Sequence, residues 1–228
     1  MINSEGILPM VKFLTLQGLL VGLTLVAFAF PSFCQDVPKT MSKISVRGVE
    51  PAPEPGSFSA QAKTYWRAGT KYACIAEAED TKNHIHGLAV ISEPDAWMIN
   101  LFDKSAKHMV DHGPTLDVHL PIFPSTAGIK TKLDGLEFGN EVEFLTKNNA
   151  TRASDEVIGG KATDRYDLRV GSSKVTLWTD AQSKKPVRIS QTKDMHTETF
   201  EYLSYEDNLA FDPSLFRPPS GLTIEESR

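Results

Sequence analysis

Gly160–Ile189 reads GKATDRYDLRVGSSKVTLWTDAQSKKPVRI. Tyr166, Leu168 and Val170 alternate with polar residues. After Gly171-Ser172-Ser173 the alternation resumes at Val175 and Leu177, while Thr176, Trp178 and Asp180 take the other face. A polar turn, Ala181–Lys185, leads to Pro186 and then Val187 and Ile189. Period two on both sides of short polar turns is the signature of antiparallel strands in a meander. Pro186 suits the first residue of a strand, where its missing N–H costs least.

The same rhythm extends in both directions. Downstream, Glu198–Tyr205 alternates Phe200 and Tyr202, and Leu203 falls one face over. Pro213–Phe216 reads as one helical turn capped by Asp212, placing Phe211, Leu215 and Phe216 as a plug at one end of the sheet. Upstream, Phe58–Arg67, Lys71–Glu79, His86–Ser92, Ala96–Asp103 and Ala106–Asp111 are five candidate strands, and Thr115–Leu120 is a sixth. Glu93-Pro94-Asp95 and Lys104-Ser105 separate them as turns. Such spacing indicates an all-β sandwich or barrel-like sheet. Asp134–Asn148 breaks the rhythm. Phe138, Val142 and Leu145 fall at helical spacing, Asp134 can cap a start and Asn148-Asn149 an end, so a helix is favoured over a strand that fits nearly as well.

The block from Tyr166 through Leu177-Trp178-Thr179-Asp180 and Pro186-Val187 to Glu201-Tyr202, Tyr205, Phe211-Asp212-Pro213-Ser214-Leu215-Phe216 and Pro218-Pro219-Ser220-Gly221 resembles the periplasmic lipoprotein-carrier family, the LolA/LolB-like proteins, and the related RseB-type sensor domains. Residues 57–110 share only the rhythm of short strands and an aromatic-basic pair, Trp66-Arg67. The resemblance implies a mainly β, α+β fold: a strongly curved antiparallel half-barrel sheet with helices covering its concave side. It implies a hollow that holds lipid or the acyl groups of lipoproteins, in outer-membrane lipoprotein sorting and transport. It also implies that an arginine near the early strands latches the cover through backbone carbonyls. Arg67 is the best placed for that, with Arg165 and Arg188 as alternatives.

The N-terminus reads as an address. Lys12 precedes an almost wholly apolar run, Leu14–Phe30, and Ala27-Phe28-Ala29 fits a small-x-small cleavage site, so a signal peptide over residues 1–29 is expected. Met10-Val11-Lys12 makes a more ordinary start for such a leader than Met1. Pro31-Ser32-Phe33 before Cys34 argues against acylation there, because a bulky phenylalanine stands where a lipobox wants a small residue. Cys74, in the strand-like run Tyr72-Ala73-Cys74-Ile75, reads as a buried free thiol. Residues 30–56, with Pro38, Pro51, Pro53 and Pro55, read as a linker in which Ser42–Gly48 has room for a short helix or strand. Residues 57–224 read as one domain and 225–228 as a frayed tail. The net charge of −5, from 24 basic and 29 acidic residues spread along the chain, excludes the basic concentration that a nucleic-acid surface needs. The expected state is a monomer in the periplasm or secreted, without a cofactor.

Candidate chemistry is thin. His84 and His86, two apart on a strand, lie roughly 6.6 Å apart on one face and form a weak metal site at best. His108 and His112, if extended, lie roughly 13 Å apart. No Gly-x-Ser-x-Gly elbow and no glycine-rich phosphate loop occurs, so no enzyme is expected. The ligand-binding candidates are Trp66, Arg67, Tyr72, Trp97, Tyr166, Leu177, Trp178 and Phe200. A single curved sheet has two faces, and a chain with so few helices leaves one of them short of cover. That shortage is the physical argument for a cavity. Two further functional classes follow less directly: a non-catalytic sensor or scaffold that binds a protein partner at the cell envelope, and a metal-dependent hydrolase.

Overall fold

The computed structural model describes residues 37–55, 57, 60–113, 116–123 and 132–227. The leader, Cys34 and the first residues of the expected strands at Phe58 and Thr115 lie outside them. The described chain is mainly β: one large curved sheet that does not close into a barrel. Its strands are β1 (Thr40–Glu50), β2 (Lys63–Ala68), β3 (Tyr72–Glu77), β4 (Gly87–Ser92), β5 (Asp95–Asn100), β6 (Ser105–Val110), β7 (Thr151–Arg152), β8 (Glu156–Ile158), β9 (Lys161–Val170), β10 (Ser173–Asp180), β11 (Pro186–Lys193), β12 (His196–Ala210) and β13 (Thr223–Glu226). Helix α1 spans Glu141–Lys147, and Pro213–Phe216 form a 3-10 turn. The spatial order is β13-β6-β5-β4-β3-β2-β1-β12-β11-β10-β9-β7, with β8 also on β9. Every pairing is antiparallel except β13 on β6.

The meander of β9 to β12 forms where the alternation places it, with Gly171 at φ +61° turning the chain between β9 and β10. Asp212 caps the 3-10 turn by accepting from the Ser214 amide. Four expectations need correction. The stretch read as a linker contains β1, which sits between β2 and β12 and joins the two halves of the sheet. Its inward residues Ile44 and Val46 are buried, while Lys43, Ser45 and Arg47 face outward, so its apolar content is only half visible in composition. Glu225 and Glu226, read as frayed, pair with Lys107 and His108 in β13. The helix begins at Glu141 rather than Asp134: Leu133, Leu136 and Phe138 are buried in irregular chain, and residues 116–120 are irregular as well. One α-helix and this irregular segment supply the inner cover among the described residues.

Two apolar clusters lie on opposite faces of the sheet, displaced toward opposite halves. On the inner face, Ile44, Val46, Leu168, Val175, Leu177, Ile189 and Tyr202 pack against Val118, Leu120, Ile122, Leu136, Phe138 and Leu145. On the outer face, Ala68, Cys74, Val90, Ile99 and Ala106 pack against Phe216, with Trp66, Tyr72, Trp97, Phe211, Leu215 and Leu222 around them. Burial pushes the Cys74 thiol up to about 11, so it is an inert, free packing residue. The outer face of β9 to β12 and β1 carries ion pairs instead, among them Arg47–Glu201 at 2.8 Å and Arg188–Glu201 at 3.3 Å.

The outer cover is fastened at its end by His108. Its Nε2 lies 2.8 Å from Asp95 Oδ1 and its Nδ1 2.6 Å from Glu226 Oε2, and its ring stacks on Trp97 at 5.0 Å. The hydrogen bonds to Asp95 and then Glu226 raise its pKa, so the folded chain favours the imidazolium. A raised histidine gives stability that is complete below its unfolded value, about 6.5, and lost as pH climbs through the raised one. Amide exchange in Thr223–Glu226, corrected for the intrinsic pH dependence, is therefore expected to quicken above about pH 6.5. A His108→Gln variant should lose that dependence. Equal protection of β13 on both sides of the transition would contradict the clasp.

Candidate functional site

Among the described residues, the two covers leave one part of the sheet open. The irregular segment is tied, among the described residues, to the turn before β3, where the Val118 amide donates to Thr70 O at 2.8 Å and Lys71 donates to Leu116 O, and Ala73 and Ile75 pack against the inner cluster. The other end of β2 to β6, on the same inner face, forms a recess of about 780 Å³. That volume lies within the range of small-molecule sites, roughly 300–1,000 Å³.

Strand register orders its floor into two rows. The first crosses the sheet through Tyr65, Ile75, Ala89 and Met98 to Lys107 and Glu225. At about 4.8 Å between strands, its four apolar positions span about 14 Å. Met98, between Ala89 and Lys107 in the row, is 56% exposed. The second row lies two residues along each strand and is polar. Lys63 pairs with Glu77 in register, Gly87 with Asn100, Asn100 with Ser105, and Ser105 with Thr223. Ile224 and Glu225 of β13, with His84 and His86, complete the rim.

Most polar groups here are committed. Asn100 donates to Asp103 at 3.2 Å and accepts from the Phe102 amide, and Ser105 Oγ donates to Asp103 at 2.6 Å. His84 and His86 set their rings edge-on to Phe102 at 5.4 and 6.1 Å. Glu77 differs. It is 7% exposed, its Oε1 lies 3.4 Å from Lys63 Nζ, and its Oε2 is buried with no hydrogen-bond partner. Burial raises its pKa, against the opposing charge of Lys63. The Gly87 amide tempers that rise, although it does not meet Oε2 in hydrogen-bonding geometry. A Cβ at position 87 would stand 2.5 Å from that Oε2, so the carboxylate keeps this position only because residue 87 is glycine. Tyr65 joins the recess to the inner core. Its ring stacks on Phe138 at 4.4 Å, and burial, with Glu77 nearby, pushes its phenol up to about 12.

None of the eight sequence-selected residues lines this recess. Trp66, Tyr72 and Trp97 point to the outer face beneath the 211–222 segment. Leu177 and Phe200 lie in or against the filled inner core, and Tyr166 packs beside them. Trp178 faces outward, its Nε1 donating to Glu156 at 2.8 Å under the Arg165 guanidinium. Arg165 itself pairs with Glu156 and Asp167, and Arg188 with Glu201. Arg67 reaches the inner cover: Nη1 lies 2.6 Å from buried Glu137 Oε2, and Nη2 donates to Val118 O at 3.4 Å. Among the described residues no cluster of three or more His, Cys, Asp or Glu is placed to hold a metal ion, and no helix is long and apolar enough to cross a membrane. The alternation that marked β2 to β5 already contained Tyr65, Ile75 and Met98. What it lacked was any sign of which face would be covered.

No family model matches the sequence, and no curated protein matches it. Solved structures with a similar fold include an uncharacterized conserved protein from Thermus thermophilus, 8% identical, covering 83% of this chain and 91% of that one at a TM-score of 0.47. The MucA/MucB complex of Pseudomonas aeruginosa is 8% identical, with 79% of this chain on 56% of that one and a TM-score of 0.43. A LolA superfamily protein from Nitrosomonas europaea is 10% identical, with 81% and 91% covered and a TM-score of 0.31. The likeness is one of chain path, and at these values it carries no activity or partner across.

Proposed function

We propose that this protein is a non-catalytic binding protein of the periplasm or the extracellular space that shelters an apolar chain in the recess over β2 to β6. The observation that carries this reading is the row Tyr65–Ile75–Ala89–Met98, an apolar strip that starts against the inner core at Tyr65 and Ile75 and runs out along the floor of the recess to exposed Met98. Exposed apolar surface in a soluble fold is costly unless something occupies it. A hydrocarbon chain gains about 0.8 kcal/mol for each buried methylene, so 14 methylenes give roughly 11 kcal/mol before the loss of ligand freedom is subtracted. The strip ends in a polar row, which suits a chain with a head rather than a featureless oil. Such a chain fits a free lipid or the acyl group of a modified protein, and Arg67, tied to Val118 O and Glu137, would hold the neighbouring cover in place.

The direct test is organic extraction of protein purified from its own host, read by mass spectrometry, beside titration with the polarity-sensitive dye N-phenylnaphthylamine. A co-purifying amphiphile and saturable dye enhancement are expected. A folded protein that yields no lipid and leaves the dye dark would end this reading.

A further inference from the structure

Glu77 Oε2 is the one polar side-chain atom in the recess wall that is buried and lacks a hydrogen bond among the described residues. A buried acceptor without a donor costs about 1–3 kcal/mol, and more when charged. Lys63 does not relieve it, since its ammonium lies against Oε1 at 3.4 Å. The neighbours in the polar row do not relieve it either, because Asn100 and Ser105 are spent on Asp103. Gly87 makes room for the carboxylate: a Cβ there would stand 2.5 Å from Oε2 and displace it. A carboxylate kept in a dry wall, beside an apolar strip and short of one donor, is arranged to be completed by something that enters the recess.

Resting on the recess as the binding site, we infer that its ligand is an amphiphile whose head carries a hydrogen-bond donor, an amine, hydroxyl or amide, received by Glu77, and not one headed by a carboxylate or phosphate. An N–H or O–H supplies the missing partner, and an ammonium adds charge assistance, which roughly doubles a hydrogen bond. An anionic head in the same place brings acceptors to an acceptor, at a separation where like charges repel strongly in a dry wall. The geometry also sets the ligand's direction. The head lies at the end of β3 by Glu77 and Gly87, and the tail runs along the row from Tyr65 toward Met98.

The test uses displacement of bound N-phenylnaphthylamine at pH 7.5 by three ligands with one tail: dodecylamine, dodecanol and dodecanoate. Dodecylamine and dodecanol are expected to displace the dye at concentrations about tenfold below dodecanoate, the effect of one hydrogen bond of about 1.4 kcal/mol. In Glu77→Gln, whose melting temperature reports its folding, the advantage of dodecylamine should shrink to about twofold or less, within what a neutral acceptor retains. A Glu77→Ala variant provides the same comparison should Gln pack badly against Gly87. Equal displacement by all three ligands in the wild type, or an unchanged preference in both variants, overturns the assignment to Glu77. Preference for dodecanoate overturns it as well and makes Lys63 the reader of the head. Failure of the dye to bind at all is a separate result, which counts against the recess itself.

Discussion

Ala89→Trp is expected to abolish dye and lipid binding, raising the apparent Kd by about a hundredfold or more, with the melting temperature within a few degrees of the parent. Ala89 stands in the middle of the apolar row, in register with Ile75 on one side and Met98 on the other. It is only partly buried and faces open volume. An indole placed there fills the recess with protein hydrocarbon of the kind the ligand would have supplied. The ligand then loses most of the burial that drives binding: about six methylenes excluded at 0.8 kcal/mol each exceed a hundredfold in affinity. Overpacking typically costs 1–3 kcal/mol in a closed core, but here the added ring meets a cavity, so little of that cost applies. Fluorescence titration of the dye beside a thermal melt measures both halves of the expectation. Retention of full affinity by a folded Ala89→Trp protein would place the ligand elsewhere. Leu177 is a poor choice for the same purpose, because it is fully buried against the inner cover and its substitution reports on folding.

That contrast marks what could be read from the sequence. The meander of β9 to β12 is legible because one face of it is apolar core and the other is polar or amphipathic, so Val175 and Leu177 alternate in sequence with Lys174, Thr176 and Trp178. The β2 to β5 half is harder, because apolar residues occupy both faces. Tyr65 and Trp66, Ala73 and Cys74, Trp97 and Met98 are neighbours in sequence and opposites in space. A shift of one residue exchanges the faces. Large aromatics drew the choice toward Trp66, Tyr72 and Trp97, yet size is what suits them to fill the gap beneath the 3-10 turn. The recess is floored by smaller and more flexible residues, Ile75, Ala89 and Met98. Glu77 gave a visible clue, a carboxylate closing an otherwise apolar strand, but its missing partner depends on Gly87 across the sheet and on the turn at Asp103. β1 was obscured by the prolines around it, and the inner cover by its lack of period: Val118, Leu120, Ile122 and Leu136 are buried by irregular chain, which no repeat announces.

Arg67→Ala is expected to destabilise the fold by about 3 kcal/mol, because removing one partner of a buried ion pair leaves the other charged and dry. Glu137 is 5% exposed and sits in the inner cover, where it bridges to Pro121 and its amide donates to Asn140 Oδ1. Its Oε2 takes Arg67 Nη1 at 2.6 Å, and its Oε1 pairs with His119 Nδ1 at 2.7 Å. His119 is largely exposed, with its side chain 71% accessible, so its contact is weakened by solvent and does not replace the arginine. It does hold the loss to the lower end of the 3–5 kcal/mol range for broken buried pairs. The second guanidinium nitrogen donates to Val118 O at 3.4 Å, a further tie between β2 and the cover that lysine cannot reproduce together with the first. Arg67→Lys should therefore recover only part of the loss. Glu137→Gln in the Arg67→Ala background should recover more, since it removes the stranded charge while keeping the shape. Urea unfolding of these proteins together with the Glu137→Gln single variant completes the double-mutant cycle and gives the coupling, and hydrogen exchange should show the loss concentrated in residues 116–123 and 132–140. If the single arginine variant unfolded at the same urea concentration as the parent, Arg67 would be a surface charge, and the cover that bounds the recess would depend on apolar packing alone.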